Sequence, residues 1–434
     1  MDYKKELDLP FDLRDYQKTG VEFLSSNESA LLGDDMGLGK TIQAIVSLKK
    51  AFKEKGIKKT LIVVPNSLAS NWLKEFNIWY KDCNVIRVKG DKEERSYIIG
   101  NNPGVTIVTY EQIRIFLSDS PNLTKYDYLI FDEAQRLKNQ NSNLYQACRK
   151  LKANTKWMLT GTPLENTPYD IVSLFSILKF GLIQSGFTTL EIRDAIYPFL
   201  LRRLKKDVLD DLPDLLEENI YIDLTDTQIG VYNKTIKQKF ELDKKDSSGM
   251  LALITELKKI CNFDPISGQS GKLEVLNQIL SEKISNNEKV IIFSQYVKTL
   301  EFIKENIKYE SLIYEGSLNS EKKDEIINNF KNKSNSNVLL MSIKSGGVGL
   351  NLQEASTVII FDRWWNPATE NQAIARAHRL GNKNKVHAIK FIAAGTIEER
   401  IIELLEIKQD YFDDVVEGAA EKNNKIKLLD LLEL

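Results

Sequence analysis

Short runs of consecutive apolar residues recur along the chain, separated by longer polar stretches with helical character. Five such runs lie in the first part, at residues 29–32, 60–64, 105–108, 128–131 and 157–160. Five more lie in the second part, at residues 290–293, 311–314, 338–341, 358–361 and 388–391. Short continuous apolar strands are typical of a parallel sheet that is covered on both faces. The pattern therefore predicts an α/β protein with two doubly wound lobes.

The stretch between the two sets of runs has a different pattern. Residues 166–265 are predicted to be mainly helical, and residues 267–271, Ser-Gly-Gln-Ser-Gly, resemble a flexible link. The predicted division is a first lobe over 1–200, a helical insertion and linker over 201–268, and a second lobe with terminal helices over 269–434.

Composition excludes several classes of protein. No apolar run is long enough to span a membrane, and the first six residues lack the basic start and apolar stretch of a signal peptide, so we expect a cytoplasmic location. Three scattered cysteines and two histidines disfavour disulfides and a zinc site. The balance of 60 basic against 61 acidic residues does not itself indicate a nucleic-acid binder. Nucleic-acid binding would require basic residues gathered on one face.

A glycine-rich segment follows the first apolar run. Residues 33–41, Gly-Asp-Asp-Met-Gly-Leu-Gly-Lys-Thr, precede a helix-like stretch, which is the context that a phosphate-binding loop requires. Lys40 can reach the outer phosphate oxygens and the Thr41 hydroxyl can bind magnesium. Asp34 stands where the strict motif has glycine. The alternative interpretation is a simple glycine-rich turn.

Asp132 and Glu133 follow the fourth apolar run. Asp132 can hold magnesium, and Glu133 can polarise the water that attacks a phosphate. An acidic pair after a strand is by itself more often a solvated turn. The phosphate loop before it and Thr-Gly-Thr-Pro at 160–163 after it favour the catalytic interpretation.

Arg376 and Arg379 are three residues apart in a segment that resembles a helix, residues 372–379. On a helix both side chains would point from one face and could act as arginine fingers toward a γ-phosphate. The alternative is a surface helix with ordinary salt bridges. His378 is expected to pack or donate hydrogen bonds.

With these residues in place, the chain resembles the SNF-type (switch/sucrose non-fermenting) DNA-translocating ATPases of helicase superfamily two. Residues 34–41 match that family's own form of the phosphate loop, including Asp34, and residues 199–208 and 260–262 resemble segments of this family rather than of helicases at large. The remaining similar segments are 13–17, 20–24, 65–68, 71–72, 108–111, 132–135, 137–139, 160–166, 293–296, 314–317, 345–351, 362–367 and 372–379.

The resemblance implies two RecA-like lobes that use ATP and magnesium, with the nucleotide held where the lobes meet. It implies catalytic roles for Lys40, Asp132, Glu133, Arg376 and Arg379, and magnesium binding by Thr41 and Asp132. The implied nucleotide-binding positions are Arg14, Gln17, Met36, Gly37, Leu38, Gly39, Lys40, Thr41, Ile42 and Gln372, and Gln17 is expected to read adenine. The implied nucleic-acid positions are Thr109, Tyr110, Lys138, Asn139, Ser345, Gly346, Gly347, Asn351 and Trp365.

Three positions depart from the family pattern. Gln135 stands where relatives usually have histidine, Asn382 where they usually have glutamine, and Lys323 where arginine is common. Gln135 and Asn382 keep hydrogen-bonding groups, so we expect altered coupling between the lobes rather than loss of activity.

The resulting hypothesis is a monomeric ATP-dependent translocase on double-stranded DNA that remodels protein–DNA complexes. Two alternatives stay open at this point. One is a strand-separating DNA or RNA helicase, and the other is a nucleotide-gated nucleic-acid clamp with little turnover.

Overall fold

The computed structural model divides into two compact units, which meet in the chain near Asp210. No helix in the part of the chain that it describes is long and apolar enough to cross a membrane. The described residues are 2–57, 59–119, 125–161, 168–184, 186–209, 214–240, 247–332, 337–342, 350, 352–379, 382 and 385–403.

The first unit is built on a parallel sheet. Its strands are β1 (Ser29–Leu32), β2 (Lys59–Val64), β3 (Val85–Arg87), β4 (Gly104–Thr109), β5 (Tyr126–Asp132), β6 (Ala153–Leu159) and β7 (Leu200–Leu201). They lie in the order β3-β4-β2-β5-β6-β1-β7. Its helices are α1 (Tyr3–Leu7), α2 (Asp15–Ser26), α3 (Lys40–Lys55), α4 (Asn66–Trp79), α5 (Lys92–Asn101), α6 (Tyr110–Asp119), α7 (Asn143–Arg149), α8 (Pro168–Leu178), α9 (Thr189–Ile196) and α10 (Lys205–Val208).

The strands of this sheet are apolar without alternation because both faces of the sheet are covered. Leu61, Ile62 and Val63 of β2 are successive residues that point to opposite faces, and all three are 0% exposed. Because all the strands are parallel, the carboxyl ends of β1, β5 and β6 open at one edge of the sheet. Ligands of open α/β sheets bind at that edge.

The second unit has its own parallel sheet. Its strands are β8 (Leu215–Ile222), β9 (Val290–Ser294), β10 (Ser311–Tyr314), β11 (Val338–Ser342), β12 (Thr357–Ile360) and β13 (Val386–Ala393), in the order β10-β11-β9-β12-β13-β8. Its helices are α11 (Asp226–Phe240), α12 (Ser247–Asn262), α13 (Gly271–Ser285), α14 (Val297–Asn306), α15 (Ser320–Asn332) and α16 (Pro367–Ile374).

Alternate residues of β9 enter different cores. Ile291 and Phe293 pack in one apolar cluster, and Val290 and Ile292 pack in another on the opposite face of the sheet. The prediction of two doubly wound α/β lobes is therefore confirmed.

The region between the predicted lobes differs from the expected helical insertion. β8, residues 215–222, is the edge strand of the second sheet and pairs in parallel with β13. Helices α11 and α12 pack against residues of the second unit such as Ala393 and Ile397. The strand was missed because most of its residues are exposed and two are charged, so it has no apolar run.

Two more strands, β3 and β7, were also missed because they contain only three and two residues. Since β7 pairs with β1, the first unit extends past the predicted boundary at residue 200. The predicted terminal helices begin with helical residues 397–403, and their remainder lies outside the described residues.

Candidate nucleotide-binding site and nucleic-acid contacts

The phosphate-loop segment connects β1 to α3 at the carboxyl edge of the first sheet. Gly37 and Gly39 have φ angles of 88° and 74°, a left-handed region that glycine enters without steric cost. Gly39 is the residue that precedes the first turn of α3. The start of a helix presents backbone N–H groups of the kind that can bind a phosphate.

Lys40 lies over this loop. Its Nζ donates to the carbonyl oxygens of Asp34, at 2.6 Å, and Asp35, at 3.1 Å. The segment after β6 approaches the same place, because a Cβ atom on Gly161 would lie 2.7 Å from Met36 Cγ and 3.6 Å from Lys40 Nζ. Only glycine leaves room there. The Thr-Gly-Thr-Pro segment that starts at Thr160 therefore begins beside Lys40.

Asp132 ends β5 and is 5% exposed. Its Oδ2 accepts a hydrogen bond of 2.7 Å from Trp72 Nε1, and its Oδ1 accepts one of 2.9 Å from the Glu133 N–H. Burial and the adjacent Glu133 raise the pKa of Asp132 above its usual range, while Trp72 and the charge of Lys40 oppose that rise. The structure thus brings Lys40, Asp132 and Glu133 into one electrostatic group.

Glu133 has a φ angle of 51°, which is unusual for a residue with a side chain and is a feature that clusters at functional sites. Gln135 Nε2 donates to its carboxylate at 2.6 Å. Gln135 Oε1 in turn accepts from the Thr160 hydroxyl at 2.7 Å. This chain of hydrogen bonds links the acidic motif to the end of β6. It uses both polar side-chain atoms of Gln135, the residue that stands where relatives usually have histidine.

The residues present fit a magnesium ion. Thr41 and Asp132 offer a hydroxyl and a carboxylate, the hard oxygen donors that Mg²⁺ prefers. Asp132 is buried next to Glu133, and a divalent cation would offset the repulsion between these two carboxylates.

The predicted adenine-reading residue lies beside the phosphate loop. Gln17, on α2, is 8% exposed, and its Oε1 accepts a hydrogen bond of 3.0 Å from the backbone N–H of Arg14. A Cβ atom on Gly39 would lie 2.7 Å from Gln17 Nε2 and 3.6 Å from Ile42 Cδ1. Arg14, Gln17, Gly39 and Ile42 therefore lie close together, and Leu38 is buried.

Two residues of this site were missed as functional candidates. Trp72 was noted only as part of a similar segment, although it holds the carboxylate of Asp132. Arg203 forms an ion pair with the buried Asp34. The available signal was Asp34 itself, since an acid within an anion-binding loop requires a nearby cation.

The predicted helix that carries both arginines is wrong in its second half. α16 ends at Ile374, and residues 375–379 form turns in which Arg376 N donates to Ala373 O at 3.1 Å. The Arg376 carbonyl accepts from Leu352 N, at 3.0 Å, instead of continuing the helical ladder. Arg379 Nε donates to Ala375 O at 3.0 Å, and burial lowers the pKa of Arg379.

Other predicted positions of the second unit are also described. Gln372 is half-buried on α16. Trp365 is half-buried and lies under Lys258, whose Nζ is 5.6 Å from the ring centroid. The predicted nucleic-acid positions Ser345, Gly346, Gly347 and Asn351 lie outside the described residues.

In the first unit, the predicted nucleic-acid positions separate into two groups. Asn139 is exposed and Lys138 is half-buried, both directly after the 3-10 helix Ala134–Leu137. Tyr110 is instead 0% exposed and donates to the Asp132 carbonyl at 2.9 Å, so its side chain has a structural role rather than the predicted nucleic-acid contact. Thr109 is 5% exposed, and its hydroxyl caps α6 by accepting from Gln112 N at 3.2 Å.

The sequence profile of the SNF2-related domain matches residues 16–266, and that of the helicase conserved C-terminal domain matches residues 271–381. The chain belongs to the SNF2-related family. This confirms the resemblance inferred from the motifs.

The SNF2-related relatives include proteins from bacteria and yeast. The chain is 34% identical to the putative ATP-dependent helicase/translocase YwqA of Bacillus subtilis, over 94% of this chain and 49% of that protein. It is 33% identical to the uncharacterized ATP-dependent helicase MG018 of Mycoplasma genitalium, over 92% of this chain and 42% of the relative. It is 32% identical to the ISWI chromatin-remodeling complex ATPase ISW2 of Saccharomyces cerevisiae, over 97% of this chain and 43% of that protein. The chain therefore spans less than half the length of these SNF2-related relatives.

Among solved structures, the chain is similar to the Sulfolobus solfataricus SWI2/SNF2 ATPase core in complex with dsDNA. The two are 30% identical, the match covers 94% of each chain, and the TM-score is 0.46.

Proposed function

We propose that this chain is a monomeric ATP-dependent translocase on double-stranded DNA that remodels protein–DNA complexes. The observation that carries the proposal is the group formed by Lys40, Asp132 and Glu133 at the carboxyl edge of a doubly wound sheet, in a chain of the SNF2-related family. Two relatives, the putative helicase/translocase YwqA and the chromatin-remodeling complex ATPase ISW2, support the same reaction and the same class of substrate.

The site residues of the first unit have separate roles in the proposed hydrolysis. Lys40 and the N–H groups of the loop bind the phosphates, and Gln17 orients the base. Thr41 and Asp132 would hold Mg²⁺, which supplies positive charge to the phosphate oxygens. Glu133 accepts the proton of the attacking water while the new P–O bond forms and the bond to the ADP oxygen breaks. Gln135, which itself accepts a hydrogen bond from Thr160, orients the Glu133 carboxylate.

In the second unit, Arg376 and Arg379 are proposed to stabilise charge on the transferred phosphoryl group, and Gln372 to contact the nucleotide. The residues proposed to contact DNA are Lys138, Asn139, Ser345, Gly346, Gly347, Asn351 and Trp365. Contacts to phosphate groups carry no sequence information, and this property suits a protein that must move over any sequence.

The first test measures ATP hydrolysis with and without a long DNA duplex. We expect strong stimulation by the duplex, and a loss of about a hundredfold or more in Lys40→Ala because charge stabilisation at the phosphates is removed. Lys53→Ala is a matched control, since Lys53 is an exposed lysine on the same helix. Hydrolysis that does not respond to duplex DNA would contradict the proposal.

The second test separates translocation from its alternatives. A translocase displaces a third strand from a triplex in an ATP-dependent reaction while leaving a plain duplex intact. Duplex unwinding without triplex displacement would indicate a strand-separating helicase. Tight ATP binding without phosphate release would indicate a nucleotide-gated clamp.

A further inference from the structure

Asp34 is a buried acid inside a loop that binds anions. It is 0% exposed and occupies the position at which the strict phosphate-loop motif has glycine. A buried carboxylate is unfavourable unless a cation and hydrogen-bond donors surround it. The groups that surround the Asp34 carboxylate are therefore groups on which the conformation of the loop depends.

Arg203 supplies that cation from a distant part of the chain. Its Nε donates to Asp34 Oδ1 at 2.9 Å, and its Nη2 donates to Oδ2. The same Nη2 donates to Gln43 Oε1 at 2.9 Å, while Gln43 Nε2 donates to Asp34 Oδ2 at 3.2 Å and to Leu38 O at 3.0 Å. The bidentate ion pair between Arg203 and Asp34, together with Gln43, thus connects both ends of the loop.

The backbone around Arg203 also forms hydrogen bonds with the phosphate loop. β7 pairs with β1, and Gly33 N donates to Leu201 O at 2.7 Å. Asp35 N then donates to Arg203 O at 2.9 Å, and Lys205 N donates to Asp35 Oδ2 at 3.0 Å. The first half of the phosphate loop is therefore hydrogen-bonded along its length to the segment 201–205.

Arg203 also reaches the helix that carries the adenine-reading glutamine. Its Nη1 donates to the carbonyl oxygen of Tyr16, and its guanidinium lies 5.5 Å from the centroid of the Tyr16 ring. Tyr16 is adjacent to Gln17 in α2. One side chain therefore holds both the base-binding and the phosphate-binding parts of the first unit.

We propose that Arg203, through its ion pair with Asp34, is a positioning residue that sets the phosphate loop and α2 for ATP and makes ATP affinity depend on the segment 201–205. This segment lies just before the place where the chain passes into the second unit. A displacement of that segment is transmitted to the loop through the ion pair and the backbone hydrogen bonds. The proposal rests on the proposed function of the loop as the ATP site.

The first experiment needs no nucleotide. Amide hydrogen exchange of residues 33–39 is compared between the unaltered protein and Arg203→Lys, which keeps the charge but loses the two-pronged geometry. We expect exchange of this loop to be about tenfold faster in Arg203→Lys, since local opening becomes easier when its hydrogen bonds weaken. Arg193→Met is the matched control, because Arg193 forms an exposed pair with Asp194 in the same unit. Unchanged loop exchange in Arg203→Lys would overturn the proposal.

The second experiment separates positioning from simple stability. In Arg203→Met the buried Asp34 has lost its cation, whereas Asp34→Gly/Arg203→Met removes both charges and restores the strict glycine. Removing both members of a buried pair is far better tolerated than removing one. We therefore expect the double variant to recover most of its thermal stability but to keep a KM for ATP about tenfold above that of the unaltered protein, with kcat changed by less than about threefold.

Two outcomes would contradict the inference here. A double variant with an unaltered KM shows that the pair only stabilises the fold, and a fall in kcat without a change in KM shows a role in chemistry rather than in positioning. If Arg203→Met does not fold, Arg203→Lys and the double variant carry the kinetic comparison. If the unaltered protein does not hydrolyse ATP, the proposed function fails, and loop exchange together with binding of a fluorescent ATP analogue still tests Arg203.

Discussion

Two buried acids of the second unit differ from Asp132 of the first unit in how their charge is balanced. In the second unit, Lys272 and Glu398 are both fully buried and lie 2.7 Å apart. Arg363 binds Glu370 through two hydrogen bonds of 3.0 and 3.1 Å. Each of these acids is neutralised by a cation of the same unit, so the pairs can hold the fold without any ligand.

In the first unit, Asp132 lies beside a second acid. Its oxygens accept hydrogen bonds from an indole and a backbone N–H, and burial together with Glu133 raises its pKa. The arrangement costs stability and favours a cation, which is the behaviour expected of a site built for function. Asp34 of the first unit is paired with Arg203 in the same way as the two acids of the second unit, so the contrast is between Asp132 and these paired acids.

The largest effect should come from breaking a neutralised pair. Lys272→Met leaves Glu398 buried without its cation, and we expect the free energy of unfolding to fall by about 3–5 kcal/mol. Chemical denaturation monitored by far-ultraviolet circular dichroism measures this change.

The control is Lys385→Met, because Lys385 and its partner Asp214 are 80% and 76% exposed. Exposed pairs of this kind contribute at most about 1 kcal/mol. Equal losses in the two variants would remove the distinction between buried frame and exposed surface. The double variant Lys272→Met/Glu398→Leu should recover part of the loss.

Glu133→Gln tests the other side of the comparison. The substitution removes the charge beside Asp132, so we expect the free energy of unfolding to stay the same or rise slightly. Loss of the proton acceptor should lower kcat of duplex-stimulated ATP hydrolysis by about a hundredfold or more. Steady-state phosphate release and chemical denaturation of the same preparation give the two values.

Glu54→Gln controls for the loss of a carboxylate, since Glu54 is exposed near the end of α3. A Glu133→Gln protein that is strongly destabilised but still hydrolyses ATP would place Glu133 with the residues that stabilise the fold. The contrast between Asp132 and the paired acids would then fail.

Gln135→Ala should have a smaller effect. It removes both hydrogen bonds that link Glu133 to Thr160, and we expect kcat to fall by about tenfold with little change in KM. Gln135→His restores the residue that family members usually have and should keep most of the rate. The number of triplexes displaced per ATP hydrolysed measures whether the departure alters coupling. Equal kcat in the alanine variant and the unaltered protein would show that the link is dispensable.

Some features could be read from local patterns. The ten apolar runs predict ten strands that the structure contains, because a strand buried on both faces is made mainly of apolar residues. The phosphate loop and the acidic pair were also predictable, since each needs a short sequence in a fixed strand-to-loop context. Edge strand β8 was not predictable in this way, because its exposed residues contact solvent instead of a second layer.

The sequence alone determined the two doubly wound lobes, the order of their motifs and the SNF2-related family, because these follow from neighbouring residues. Only the tertiary structure decided that Tyr110 is buried under Asp132, that the turns after α16 carry the arginines, and that Arg203 pairs with Asp34. Asp34 and Arg203 are 169 positions apart. Such a contact depends on how β7 is placed beside β1 in the sheet, and spacing along the chain does not encode that neighbourhood.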